Sequence, residues 1–301
     1  MGPQDQLEPP SRASAAPKEG TGSGVKTILL HVQNDTSLVM RLEAALSLAR
    51  ACEAHLSCLH VTPIEAYVAF DKVGGLLVMN DVMKALDEQE QAVRTKIEEK
   101  LAKEDVSWDY QQITGYAASQ IVSHAALADL VVTGREPHRT DFAAPALRVL
   151  GDILYRARTP LFIPGDKYAS ADPTGTAMIA WDGSYEAANA IRSSVGLLKL
   201  ASNVHVLQII EEAKEGTFPG TRLLEYLSRH EVHAELSTIE APVDISDDEV
   251  ISATLIARAT AINASYVLMG GYSHSRIGEY IFGGVTRTLL AACPVPLIIA
   301  H

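Results

Sequence analysis

Cysteine is scarce. Cys52, Cys58 and Cys293 are the only three in 301 residues, an odd number with no Cys-x-x-Cys pair, which argues against a disulfide scaffold or a thiolate zinc site and fits reduced, partly buried thiols. No apolar run approaches the roughly 18 to 20 residues that span a bilayer, and the first residues lack the apolar stretch of a secretory signal. A cytoplasmic protein with no membrane partner is therefore expected. Basic residues are also in deficit: 25 Lys and Arg against 37 Asp and Glu leave a net charge of -12, which repels a phosphate backbone and argues against nucleic acid as a partner. The ten histidines never take His-Glu-x-x-His spacing, and neither a Gly-x-x-x-x-Gly-Lys-[Ser/Thr] loop nor a Gly-x-Ser-x-Gly elbow occurs.

What the chain does have is apolar substance, 47% against 21% charged residues, enough for two folded domains in a chain of this length. Residues 1–24, rich in Pro, Gly, Ser and Ala, read as a flexible tail with little to bury. From Val25 the texture changes. VKTILLHV is a short, partly β-branched run suited to a strand buried on both faces, LVMRLEAALSLARACEA is helical in pattern, and HLSCLHV is a second strand. The same order restarts near residue 176 with MIAWDGS, YEAANAIRSSVGLLKLA and NVHVLQII.

This internal repeat organises the chain. Gly134 falls on Gly270 and Pro160 on Pro296 without a gap, both at a shift of 136, so that DLVVTG matches SYVLMG and TPLFIP matches VPLIIA. Between these anchors, Val82, Leu86, Val93, Ile97 and Leu101 trace a helical stripe in the first copy. In the second, Ser246 and Glu249 form a capping-box signature ahead of Ile251, Leu255, Ala259 and Ile262. The expected organisation is a first domain at 25–165, a linker at 166–175 and a second domain at 176–301. Each is an α/β unit, a doubly wound, mainly parallel five-stranded sheet with helices on both faces. Ligands of such sheets bind beyond the carboxyl ends of the strands, where strand order reverses.

Two segments lie at that place in the second copy. Asp182 in WDGS follows the first strand, where a carboxylate either accepts hydrogen bonds from a ligand or shapes the next turn. GGYSHSRIGEYIFGGVTRTLL follows the fourth strand, and Gly283-Gly284 before a helix would present its amino terminus to an anion. His274 lies in this loop, while His124 reads as a core or boundary residue. Asp after the first strand, then Gly-x-x-Gly, nine residues and Gly-Ser or Gly-Thr is the ATP-binding pattern of universal stress proteins, and the chain resembles that family over residues 25–301 in tandem form.

The resemblance implies that Asp182 and Ile209 contact adenine or ribose, that Met269, Gly270, Tyr272 and Ser273 line the loop, and that Gly283, Gly284 and Val285 hold phosphates. It implies ATP or ADP as ligand, with Mg only in company with the nucleotide, and a stress-response regulator in place of an enzyme, slow ATP hydrolysis staying open. Two positions depart from the pattern: Ser273 replaces the second Gly, and Gly284 stands where Ser or Thr is usual. In the first copy Pro137, Leu147 and Arg148 occupy the corresponding positions and Gln33 or Asn34 that of Asp182, so no ATP is expected there. The alternative function is a nucleotide-independent protein that binds an unknown protein partner or another small ligand. Leu161-Phe162-Ile163 and Leu297-Ile298-Ile299 would lie at sheet edges that a tandem chain can satisfy internally, as a pseudo-dimer. A homodimer stays open as well.

Overall fold

The apolar runs that open each copy become strands because helices cover both of their faces. The computed structural model describes residues 24–63, 76–135, 143–165, 172–210, 218–240, 248–271 and 282–301, with backbone alone at 63, 76–83 and 143–148. In the first half β1 (Thr27–Val32), α1 (Leu38–Cys52), β2 (His55–Pro63), α2 (Leu76–Leu101), β3 (Trp108–Gly115), α3 (Ala117–Ala125), β4 (Leu130–Val132), α4 (Ala143–Ala157) and β5 (Leu161–Ile163) alternate. The second half repeats them as β6 (Thr176–Trp181), α5 (Tyr185–Leu198), β7 (Asn203–Ile210), α6 (Gly220–Arg229), β8 (Ala234–Glu240), α7 (Asp248–Ala261), β9 (Tyr266–Gly270), α8 (Gly284–Ala292) and β10 (Leu297–Ala300). Residues 166–171 of the expected linker and Ser246 of the expected capping box lie outside the described residues.

The strands form one ten-stranded sheet in the order β3-β2-β1-β4-β5-β10-β9-β6-β7-β8. Every pairing is parallel except the central one, where β5 and β10 run antiparallel with Leu161, Phe162 and Ile163 opposite Ile299, Ile298 and Leu297. The two apolar edge strands thus cover each other, and the polar strands β3 and β8 form the outer edges. On one face α1, α2, α5 and α6 bury a continuous apolar layer; on the other α3, α4, α7 and α8 bury a second. All three cysteines are free and buried, and burial raises the Cys58 and Cys293 thiols above their ordinary range.

The halves are also joined by a polar contact. Arg135, just after β4, donates from Nη2 to the Val295 carbonyl at 3.1 Å and from Nη1 to the Cys293 carbonyl. These carbonyls flank the turn from α8 into β10, so a cation from the first half satisfies the carboxyl end of a helix in the second. Arg135→Met, which keeps the apolar stem and removes both donors, is expected to lower the unfolding free energy by about 2 kcal/mol, read from the urea midpoint.

The apolar stripe of α2 carries one surprise. Val93, Ile97 and Leu101 are buried as their spacing implies, but Glu90 is buried with them. It is accommodated because Thr62 donates to Oε2 at 3.0 Å and His60 Nε2 lies 2.6 Å from the same oxygen. Tyr110 in turn donates its hydroxyl to His60 Nδ1 at 2.7 Å. Burial keeps the Tyr110 phenol above its ordinary range and the His60 imidazole below it, which suits a neutral ring accepting at one nitrogen and donating at the other.

Candidate functional site

In the second half strand order reverses between β6 and β9, so the crevice beyond their carboxyl ends is the expected ligand position. β6 ends at Trp181, and the chain turns through Gly183, whose φ of 76° favours glycine. Ser184 donates its N–H to Asp182 Oδ1 at 2.9 Å and its hydroxyl to the same oxygen at 2.6 Å. The Ser184 oxygen then accepts from the Ala187 N–H at 3.1 Å, which makes Ser184 the cap of α5. Asp182 therefore shapes the turn while also lining the crevice.

The opposite wall comes from the end of β9, the first turn of α7 and the first turn of α8. Together they enclose a cavity of ≈ 210 Å³. Asp182, Ile209, Met269, Gly270, Gly283, Gly284 and Val285 all line it. Tyr272, Ser273 and His274 lie outside the described residues. His124 is half-buried, with Nδ1 2.8 Å from the Gln120 carbonyl, as a boundary residue should be. Leu207, Ile251 and Leu255 complete an apolar slot, and Glu186 and Asp248 add two carboxylates that sequence reasoning missed. No local signal marks Asp248, which reaches the cavity only because α7 packs beside α8. The described lining residues include three carboxylates and no lysine or arginine.

Three glycines at this site lack side chains for three different reasons. A Cβ on Gly270 would stand 2.4 Å from the Ala187 nitrogen, so the approach of α5 to β9 requires its absence. A Cβ on Gly284 would stand 1.8 Å from Asp248 Oδ2. A Cβ on Gly283 would meet no atom within 4 Å. Among the described residues that position is open, at the exposed amino end of α8.

At the matching strand ends of the first half, His31 and Arg41 are buried. Register places His31 where Ala180 lies and Thr133 where Met269 lies. His31 is buried with Nδ1 3.5 Å from the Thr133 hydroxyl, and burial, with Arg41 and His60 nearby, pushes its pKa down to about 3. Arg41, 1% exposed, sends its guanidinium under Gly134, donates to both oxygens of Asp35 at 3.0 and 2.8 Å and to the Gln33 carbonyl at 2.8 Å. Pro137 lies outside the described residues and the side chains of Leu147 and Arg148 are not described, so His31 and Arg41 are what distinguishes these strand ends from those of the second half.

Among the described residues no group of three or more His, Cys, Asp or Glu side chains is placed to hold a metal ion, and no helix is long and apolar enough to cross a membrane. Residues 174–301 match the model of the universal stress protein family. No curated protein sequence matches the chain. Among solved structures, the chain is similar to a universal stress protein from Archaeoglobus fulgidus DSM 4304 at 15% identity, covering 93% of this chain and 97% of that one with a TM-score of 0.68. It is also similar to a putative universal stress protein from Pseudomonas aeruginosa UCBPP-PA14 at 15% identity, covering 92% and 94%, TM-score 0.54. The fold is thus shared across both halves in tandem, and the second half, residues 174–301, matches the universal stress protein family.

Proposed function

We propose that the second half binds an adenine nucleotide and that the protein is a stress-response regulator controlled by that binding, the first half serving as a ligand-free partner domain. Gly283 carries this reading: no described atom stands where its side chain would be, which leaves the amino end of α8 open to a ligand. The slot between Leu207, Ile209, Leu255 and Met269 suits the faces of a purine, and Asp182 suits a ribose hydroxyl or an exocyclic amine. The amino end of α8 closes the other end of the cavity, where the backbone N–H groups of Gly283, Gly284 and Val285 would face the ribose or a phosphate. Rapid phosphoryl transfer needs positioned cations beside the phosphates, and the described lining residues supply none.

Calorimetric titration of the purified chain with ATP, ADP and AMP tests this. One saturable site per chain is expected. Gly283→Leu should abolish it while leaving stability within about 0.5 kcal/mol of the parent, because the new Cβ meets no described atom at an exposed position. Asp182→Ala should weaken it about tenfold or more by removing a charged acceptor. A folded protein that binds no nucleotide at millimolar concentration would sink this reading and favour a nucleotide-independent interaction protein.

A further inference from the structure

The phosphate end of the cavity already holds a negative charge of the protein's own. Asp248 is the first residue of α7, and its Oδ2 lies 1.8 Å from the point that a Cβ on Gly284 would occupy. The carboxylate therefore stands directly against the first residue of α8. Ser252, fully buried, donates its hydroxyl to the Asp248 main-chain carbonyl at 2.6 Å, and the same oxygen lies 3.5 Å from the Val285 carbonyl, so the first turn of α7 packs against the first turn of α8. The amino ends of both helices meet at this point, and the partial positive charge of each favours an anion.

The residue at 284 fits this arrangement. A serine or threonine, the usual residue of the family pattern, would put its Cβ on the carboxylate. Gly284 thus gives up a hydroxyl donor and makes room for Asp248. Asp182 and Glu186 line the same cavity, and the described lining residues hold no lysine or arginine to offset them. Among the described residues there is also no ready-made cluster to hold a neutralising metal ion. Every phosphate added to a ligand brings further like charge toward Asp248, and like charges a few ångströms apart in a partly enclosed site repel strongly.

We infer that Asp248 is a specificity-determining residue that sets the charge preference of this site: it takes an adenine nucleoside carrying few or no phosphates, with affinity falling along the series adenosine, AMP, ADP, ATP. The inference rests on the adenine-binding reading above and specifies which member of that ligand class the cavity accepts.

The test is to titrate the four ligands, without magnesium, into the full chain and into Asp248→Asn, which keeps the size of the side chain and its fitness for a helix amino end. The parent should bind ATP about tenfold or more weakly than adenosine. In Asp248→Asn, ATP binding should tighten about tenfold while adenosine shifts less than about twofold. Gly284→Ser, which displaces the carboxylate sterically, should flatten the series in the same direction. ATP binding as tightly as adenosine in the parent, or an unchanged ratio in Asp248→Asn, would overturn the inference and leave the adenine site standing. Failure of all four ligands to bind parent and variants, each shown to be folded, would remove the adenine site and this preference with it.

Discussion

Gly270→Ala is expected to destabilise the second half by about 3 kcal/mol, the upper end of what one added methyl costs in a packed interior. The new Cβ would stand 2.4 Å from the Ala187 nitrogen, 2.8 Å from the Glu186 carbonyl carbon and 2.9 Å from the Ala187 Cα. All three are backbone atoms in the first turn of a helix, and none can rotate out of the way. Relief requires moving α5 off the sheet, and α5 carries the small residues Ala187 and Ala190, both buried against that face. The same shift would pull Ser184 and Asp182 away from the cavity, so ligand binding should fall together with stability. Urea unfolding alongside calorimetry reads both. An alanine variant as stable as the parent, still binding ligand, would mean that α5 has slack which its packing does not show.

The pairing of Gly134 with Gly270 was legible in the sequence because a gap-free shift over two strands and the spacing between them demands a repeated unit. The strands themselves were equally plain. NVHVLQII is β7 without adjustment, and the apolar runs at 161–163 and 297–299 form the antiparallel seam that a tandem chain needs. Less of the site could be seen. Asp182 and the glycines have fixed places relative to strand ends, so motif spacing located them in the cavity. Asp248 has no such tie: its relevance comes from the angle at which α7 meets α8, a tertiary property. Arg41 and Glu90 escaped for a related reason. Each occupies a position on a helix that pattern assigns to one face or the other, and its burial depends on partners off that helix, Gln33 and Asp35 in the preceding loop for Arg41 and His60 and Thr62 on β2 for Glu90. A buried charge is legible only once the groups that neutralise it are in view.

The buried His31 of the first half should make the protein sensitive to acid in a way that one substitution removes. His31 is buried and its folded pKa is pushed down to about 3, chiefly by desolvation, with the Arg41 and His60 charges acting in the same direction. In the unfolded chain the imidazole titrates near 6.5. Between those values the unfolded state binds a proton that the folded state refuses, so stability falls as pH falls, by about 1.4 kcal/mol per unit below pH 6.5. At pH 4 this amounts to about 3 kcal/mol. His31→Leu, uncharged at every pH, should be about 1 kcal/mol less stable than the parent at pH 7, because Thr133 loses its partner. Near pH 4 the order should invert, with the variant the more stable by about 2 kcal/mol. Other acid-sensitive groups, His60 among them, act on both proteins and largely cancel in the difference. Urea unfolding of the pair at several pH values between 7 and 4 measures it directly: curves that cross below pH 6.5 place the proton on His31, whereas parallel curves would show that the surroundings of His31 admit enough water to charge the ring without cost.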